Sequence, residues 1–202
     1  MRVEIDPDNP QMMNIKHIVK ILKNGGLIAY PTDTIYGIGC DLFNKSAIEK
    51  VYQIKKMPRY KPLSFICADL KDISVYAQVS NTAYKIMKRL IPGPYTFILS
   101  ATRMVPKIML TKRRTVGIRV PDNNICLSIV RELGNPIIST SASVSKEEIL
   151  SDPVEIENTF GHSIDIVIDG GVLVSEPSSM IDFTESAPKV IREGKGDITM
   201  FV

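Results

Sequence analysis

The sequence predicts an α/β protein: one twisted sheet of mixed parallel and antiparallel strands, flanked by helices, in a single domain over residues 1–202. Three observations carry this prediction. Helical and strand patterns alternate through most of the chain, which favours parallel pairing across helical connections. Near the end, Ile164–Ile168, Met180–Phe183 and Val190-Ile191 follow one another with no helix-length connection, which favours a mixed sheet. Finally, 202 residues with 44% apolar content can bury a substantial core, and no linker, repeat or low-complexity tract divides them.

The elements follow in order. Ile15, Ile18, Val19 and Leu22 share one helical face, with Pro10 at a first-turn position and Gly25-Gly26 as the stop. The apolar Leu27–Tyr30 is a strand. Asn44 caps a helix carrying Ile48, Val51, Tyr52 and Ile54, and Leu63–Cys67 is a buried strand. Asn81 opens a helix with Ala83, Tyr84, Met87, Leu90 and Ile91 on one side, ended by Pro92-Gly93-Pro94. Tyr95–Leu99 and Thr115–Val120 are strands. Ile125–Leu133 is a helix closed by Gly134, and Ile137-Ile138 is a short strand. Asp152-Pro153-Val154-Glu155 supplies the cap, first-turn proline and acid of one more helix.

Composition narrows the function classes. Met1–Asp6 has no basic stretch leading into an apolar run, so a secretory signal is not expected. The apolar runs are too short to span a bilayer. Cys40, Cys67 and Cys126 are widely spaced and form no CxxC, which fits a reducing compartment, and cytoplasm is the expected location. With His17 and His162 the only histidines, no metal site is expected. A net charge of +3 does not by itself imply nucleic acid. Lys55, Lys56, Arg59 and Lys61 form one basic cluster and Lys112-Arg113-Arg114 another, each compatible with solvated surface or with phosphate contacts.

The segment Tyr30-Pro31-Thr32-Asp33-Thr34-Ile35-Tyr36-Gly37-Ile38-Gly39 concentrates hydroxyls, a carboxylate and two glycines just beyond a buried strand. Ligands of open α/β sheets sit at such strand ends, although spacing alone also fits a tight surface turn. No P-loop and no GxGxxG is present, so any nucleotide is bound by another design. Neither histidine lies in a context that supports a Ser-His-Asp hydrolase.

This segment resembles the opening signature of the YrdC family, which includes the threonylcarbamoyl-AMP synthases. Pro92-Gly93-Pro94-Tyr95-Thr96, Thr115-Val116-Gly117-Ile118-Arg119-Val120-Pro121 and Ser139-Thr140-Ser141-Ala142 resemble further family segments in order. Asp169-Gly170-Gly171, Pro177–Asp182 and Ile191-Arg192-Glu193-Gly194 resemble its C-terminal motifs, so the similarity runs from about residue 10 to the end. It implies a YrdC-like fold with a concave, positively lined cleft. It also implies formation of threonylcarbamoyl-AMP from L-threonine or a similar amino compound, bicarbonate and ATP, with Mg²⁺ and release of pyrophosphate.

By the same resemblance, Thr34, Arg119, Ser139 and Ser178 hold the amino acid. Lys55, Lys61, Thr115, Ser141, Ser143 and Arg192 surround ATP, with Lys55, Ser141 and Arg119 as the catalytic set. The chemistry suits these residue types, because a guanidinium fork fits a carboxylate and a reacting phosphate needs cations and hydroxyl donors.

The chain departs from the synthases at their Lys-x-Arg…Ser-x-Asn tetrad. Met57 replaces the arginine and Ser143 the asparagine, while Lys55 and Ser141 remain. This pattern, with Asp6–Pro10 and Arg192-Glu193-Gly194, is similar to the YciO branch. Loss of one pre-organised donor costs roughly 10²–10³ in rate. Two expectations therefore stand side by side: an adenylate-forming enzyme linked to tRNA modification beside the anticodon, and a module binding tRNA or double-stranded RNA through a basic rim.

Overall fold

The computed structural model describes residues 1–58, 61–110, 112–144 and 148–201. In chain order the elements are β1 (Arg2–Glu4), α1 (Met12–Lys23), β2 (Ile28–Tyr30), β3 (Gly37–Asp41), α2 (Lys45–Ile54), β4 (Ser64–Ile66), α3 (Leu70–Tyr76) and β5 (Ala77–Gln78). They continue with α4 (Asn81–Leu90), β6 (Tyr95–Ala101), β7 (Thr115–Arg119), α5 (Asn124–Leu133), β8 (Ile137–Ser141), α6 (Pro153–Phe160), β9 (Ile166–Asp169), β10 (Ser179–Asp182) and β11 (Lys189–Arg192).

All the strands join one sheet in the order β1-β9-β2-β3-β8-β4-β7-β6-β10-β11, with β5 paired to β6. The pairs β1/β9, β2/β9, β4/β7 and β6/β10 are parallel. The pairs β2/β3, β3/β8, β4/β8, β6/β7 and β10/β11 are antiparallel. The expected mixed sheet is therefore present, with α1 to α6 packed against it.

Side-chain alternation divides the core into two layers. Ile28, Tyr30, Ile66, Ile137, Ile166 and Ile168 join α1 and α5 in one layer. Ala29, Phe65, Ile138 and Val167 join α2, α3, α4 and α6 in the other. The α1–α5 layer stops partway across the sheet. On β7 and β6 the positions in register with Ile66 are Arg119 and Thr96, and on β10 Met180. That part of the face is left open.

Local signals set most boundaries. Asn44, Asn123 and Asp152 cap α2, α5 and α6 by accepting backbone N–H bonds, and Gly134 ends α5 at φ +81°. Several expectations need correction. Ser80, not Asn81, caps α4, and Tyr84 is 44% exposed rather than on the inner side. Gln11 precedes α1, so Pro10 lies before the helix. The expected strand Ile137-Ile138 extends through Ser141, because it pairs with β3 along its whole length.

Candidate functional site

The open face holds a cleft of ≈ 690 Å³. Lys55, Lys56, Lys61, Arg119 and Arg192 line it, and no carboxylate is among its described lining residues. Strand register places the hydroxyls. Ser139 and Ser141 alternate on β8 and so share one face, and Ser64 of β4 pairs with Ser139 on one side and Gly117 on the other. Gly39 lets Tyr30 pack closely: a Cβ there would meet the Ile138 carbonyl oxygen at 2.2 Å and the Tyr30 ring at 3.0 Å.

The loop between β2 and β3 is held by its own hydroxyls. Thr32 Oγ1 accepts from the backbone N–H of Thr34 (3.1 Å) and Ile35 (3.2 Å), and donates to the Ile35 carbonyl at 2.6 Å. Thr34 is buried with its hydroxyl 3.1 Å from that of Thr32, and Thr32 rather than Thr34 lines the cleft. Tyr36 Oη donates to the Gly171 carbonyl (2.8 Å) and accepts from the Gly170 N–H (3.1 Å), joining the loop to Asp169-Gly170-Gly171. Burial pushes this phenol up to about 12.

Arg119 meets its first partner in that loop. Its guanidinium donates to Asp33, with both side chains 90% or more buried (8% and 10% exposed). Arg119 Nε and Asp33 Oδ2 remain without hydrogen-bond partners. Beside this pair, Arg192 donates from Nε (3.1 Å) and a terminal nitrogen (2.8 Å) to the Ser178 carbonyl. The Ser178 and Thr96 hydroxyls are 2.8 Å apart. Burial, and then the charge of Arg119, lower the Arg192 pKa.

At the other end, Lys55 reaches from the end of α2 to Ser143, donating to its carbonyl and to its hydroxyl at 3.0 Å. The Ser143 hydroxyl lies 2.9 Å from that of Ser141. Burial, reinforced by the charge of Lys61, lowers the Lys55 pKa to about 8. Met57, at the position where the resemblance implies arginine, lines the cleft and packs partly against the core. Tyr52 Oη donates to the Lys61 carbonyl at 3.0 Å and so anchors the segment that carries Lys61.

Of the expected site residues, the cleft thus brings together Lys55, Lys61, Arg119, Ser139, Ser141, Ser143, Ser178 and Arg192. Thr115 is not among them. It begins β7 opposite Ser100, about 13 Å along the strand from Arg119 at ordinary strand rise. Lys112, Arg113 and Arg114 precede it and line no part of the cleft. Arg59, of the first basic cluster, lies outside the described residues. Thr32, Asp33 and Thr96 were not singled out from sequence, although all three stand inside the quoted motifs.

The fold and site define an α/β protein whose open sheet face forms a cleft lined by hydroxyls and by lysine and arginine side chains. The model of the Sua5/YciO/YrdC family, described as "Telomere recombination", matches residues 20–194. YciO of Escherichia coli is 42% identical over 98% of this chain and 97% of its own, and its crystal structure superposes with a TM-score of 0.95. A threonylcarbamoyl-AMP synthase of Vibrio vulnificus is 32% identical over 79% of this chain and 87% of its own. Sua5 of Pyrococcus abyssi, complexed with L-threonine, gives a TM-score of 0.90 at 27% identity, over 96% of this chain and 57% of that one. The chain belongs to the Sua5/YciO/YrdC family, on its YciO branch.

Proposed function

We propose that the cleft binds ATP beside an amino compound and forms threonylcarbamoyl-AMP or a closely related adenylate. The amine condenses with bicarbonate to a carbamate, water leaving. A carbamate oxygen then attacks the α-phosphorus and pyrophosphate departs. The observation that supports this most is the meeting of two polar groups in one cleft: Arg119, Ser178 and Arg192 at one end, Lys55, Ser143 and Ser141 at the other. The first offers guanidinium donors to a carboxylate, and the second offers a cation and hydroxyls to phosphoryl oxygens. The relative complexed with L-threonine supports an amino-acid substrate.

Magnesium fits as a companion of the nucleotide. No carboxylate is among the described cleft-lining residues, and among the described residues there is no cluster of three metal-ligating side chains. Mg²⁺ keeps much of its water and binds through substrate phosphates, which suits such a cleft. When bound, it would neutralise phosphate charge; the protein's own cations do the same from the cleft wall.

The product would serve modification of tRNA beside the anticodon. Pyrophosphate release from ATP and bicarbonate, measured across a panel of amino acids, tests the proposal. Release that requires both bicarbonate and one amino acid is expected. No release with any of them, and no thermal shift with ATP, would sink it.

A further inference from the structure

The contacts at the Lys55 end form a continuous chain. Ser141 Oγ is 2.9 Å from Ser143 Oγ, which is 3.0 Å from Lys55 Nζ. Lys55 also donates to the Ser143 backbone carbonyl. The chain is held in place on both sides. The Ser143 N–H donates to the Ser141 carbonyl at 3.0 Å, Ser143 bridges to Ile149, and Ser143 is buried. The Phe160 ring of α6 lies 5.8 Å from Lys55 Nζ.

We infer that Ser141, Ser143 and Lys55 form a proton relay that arms Ser141 as a nucleophile toward activated acyl compounds carrying a phosphate or carboxylate. A nucleophile needs a base within hydrogen-bond reach and a third group that orients it. A neutral lysine amine offers one lone pair and two N–H donors. One donor stays on the Ser143 carbonyl, and the lone pair takes the Ser143 hydroxyl proton across the 3.0 Å contact. Ser143 in turn accepts from Ser141. Among the described residues, the charged group acting on Lys55 is Lys61, from the segment before β4; β8 presents hydroxyls and α6 the Phe160 ring. Burial and that like charge make the neutral amine accessible near pH 8.

The reaction balances as a hydrolysis. Ser141 Oγ bonds to the acyl carbon while its proton passes to Ser143 and the Ser143 proton to Lys55. The bond to the leaving oxygen breaks, and the alcohol or phosphate departs with the proton that Lys55 returns. Water then attacks the acyl-serine through the same relay, and the carboxylic acid leaves. Lys56 and Lys61, both on the cleft wall, favour anionic substrates.

The test uses a fluorophosphonate on the full chain from pH 6 to 10, with the modified residue located by peptide mass spectrometry. The oxygen–phosphorus bond forms, fluoride leaves, and Lys55 takes the proton. The expected adduct lies on Ser141, at a rate that rises through about pH 8 and then levels. Ser143→Ala should slow labelling by about 10²-fold, as loss of a base does, and Ser143→Thr, which keeps the hydroxyl, should restore it. No adduct on Ser141 at any pH, a rate indifferent to pH, or a rate unchanged by Ser143→Ala would overturn the inference. If a variant fails to fold, the labelled residue and pH profile of the parent chain still decide. Labelling needs no nucleotide, so failure of the adenylation proposal and failure of the relay are separately visible.

Discussion

Arg119, at the end of β7, and Asp33, in the loop after β2, form an ion pair across 86 residues of chain, with side chains 8% and 10% exposed. The guanidinium expected to hold a substrate carboxylate is already engaged by an internal one. Its Nε has no hydrogen-bond partner but is itself buried, so a substrate carboxylate must either compete with Asp33 for the terminal nitrogens or wait on a local rearrangement.

Breaking this pair from one side leaves an uncompensated buried charge, at a cost of about 3–5 kcal/mol. Asp33→Ala and Arg119→Ala are each expected to lose that much in urea denaturation. The double variant should lose less than the sum, because neither charge is then left alone. Additive losses would show that the pair is not coupled. Loss of activity in Arg119→Ala must therefore be read beside its stability.

Lys55 gives a pH signature. Its ordinary pKa of 10.5 falls to about 8 in the folded chain. Between these values the unfolded chain holds a proton that the folded chain has released, so stability rises with pH across that window. The destabilising contribution is complete below pH 8, and Lys55→Met should remove this slope in denaturation measured from pH 7 to 10.5. ATP binding should run the opposite way. The ammonium that attracts phosphate disappears above about pH 8, so calorimetry should show weaker affinity at pH 9.5 than at pH 7.

Restoring the tetrad tests what the branch has lost. Met57→Arg with Ser143→Asn is expected to raise threonylcarbamoyl-AMP formation at least tenfold in single-turnover assays, about 1.4 kcal/mol in barrier. Met57 packs partly against the core, so some stability should be lost as well. The same double variant removes the Ser143 hydroxyl and should slow fluorophosphonate labelling by about 10²-fold, as Ser143→Ala does. An unchanged synthesis rate in a folded variant would point to a natural substrate other than threonine.

Gly39 tests the packing behind the site. A Cβ there would sit 2.2 Å from the Ile138 carbonyl oxygen, and backbone cannot rotate away as a side chain can. Gly39→Ala is expected to destabilise by about 1–3 kcal/mol in urea melts, the range for an overpacked core. A neutral result would mean that β3 and β8 separate at little cost.

Much of the fold was legible because its signals are local. The 3.6-residue spacing of Ile15, Ile18, Val19 and Leu22, and caps such as Asn44 and Asp152, act within a turn or two of themselves. The motifs named most of the cleft for a similar reason: short segments of hydroxyls and basic residues stand out wherever the chain later carries them. β3 escaped because Gly37 and Gly39 read as loop, glycine being poor in strands; only the Tyr30 ring packed over them explains the exchange. The pairing of Arg119 with Asp33, and of Lys55 with Ser143, spans 86 and 88 residues. No periodicity reports contacts at that separation. Thr115 shows the converse: it stands four residues from Arg119 in the same motif, yet the extension of β7 carries it away from the cleft. Sequence by itself determined which groups are available and which segments present them. Strand register and the early end of the α1–α5 layer decided which of those groups meet, because burial and direction are properties of the packed sheet and not of the chain.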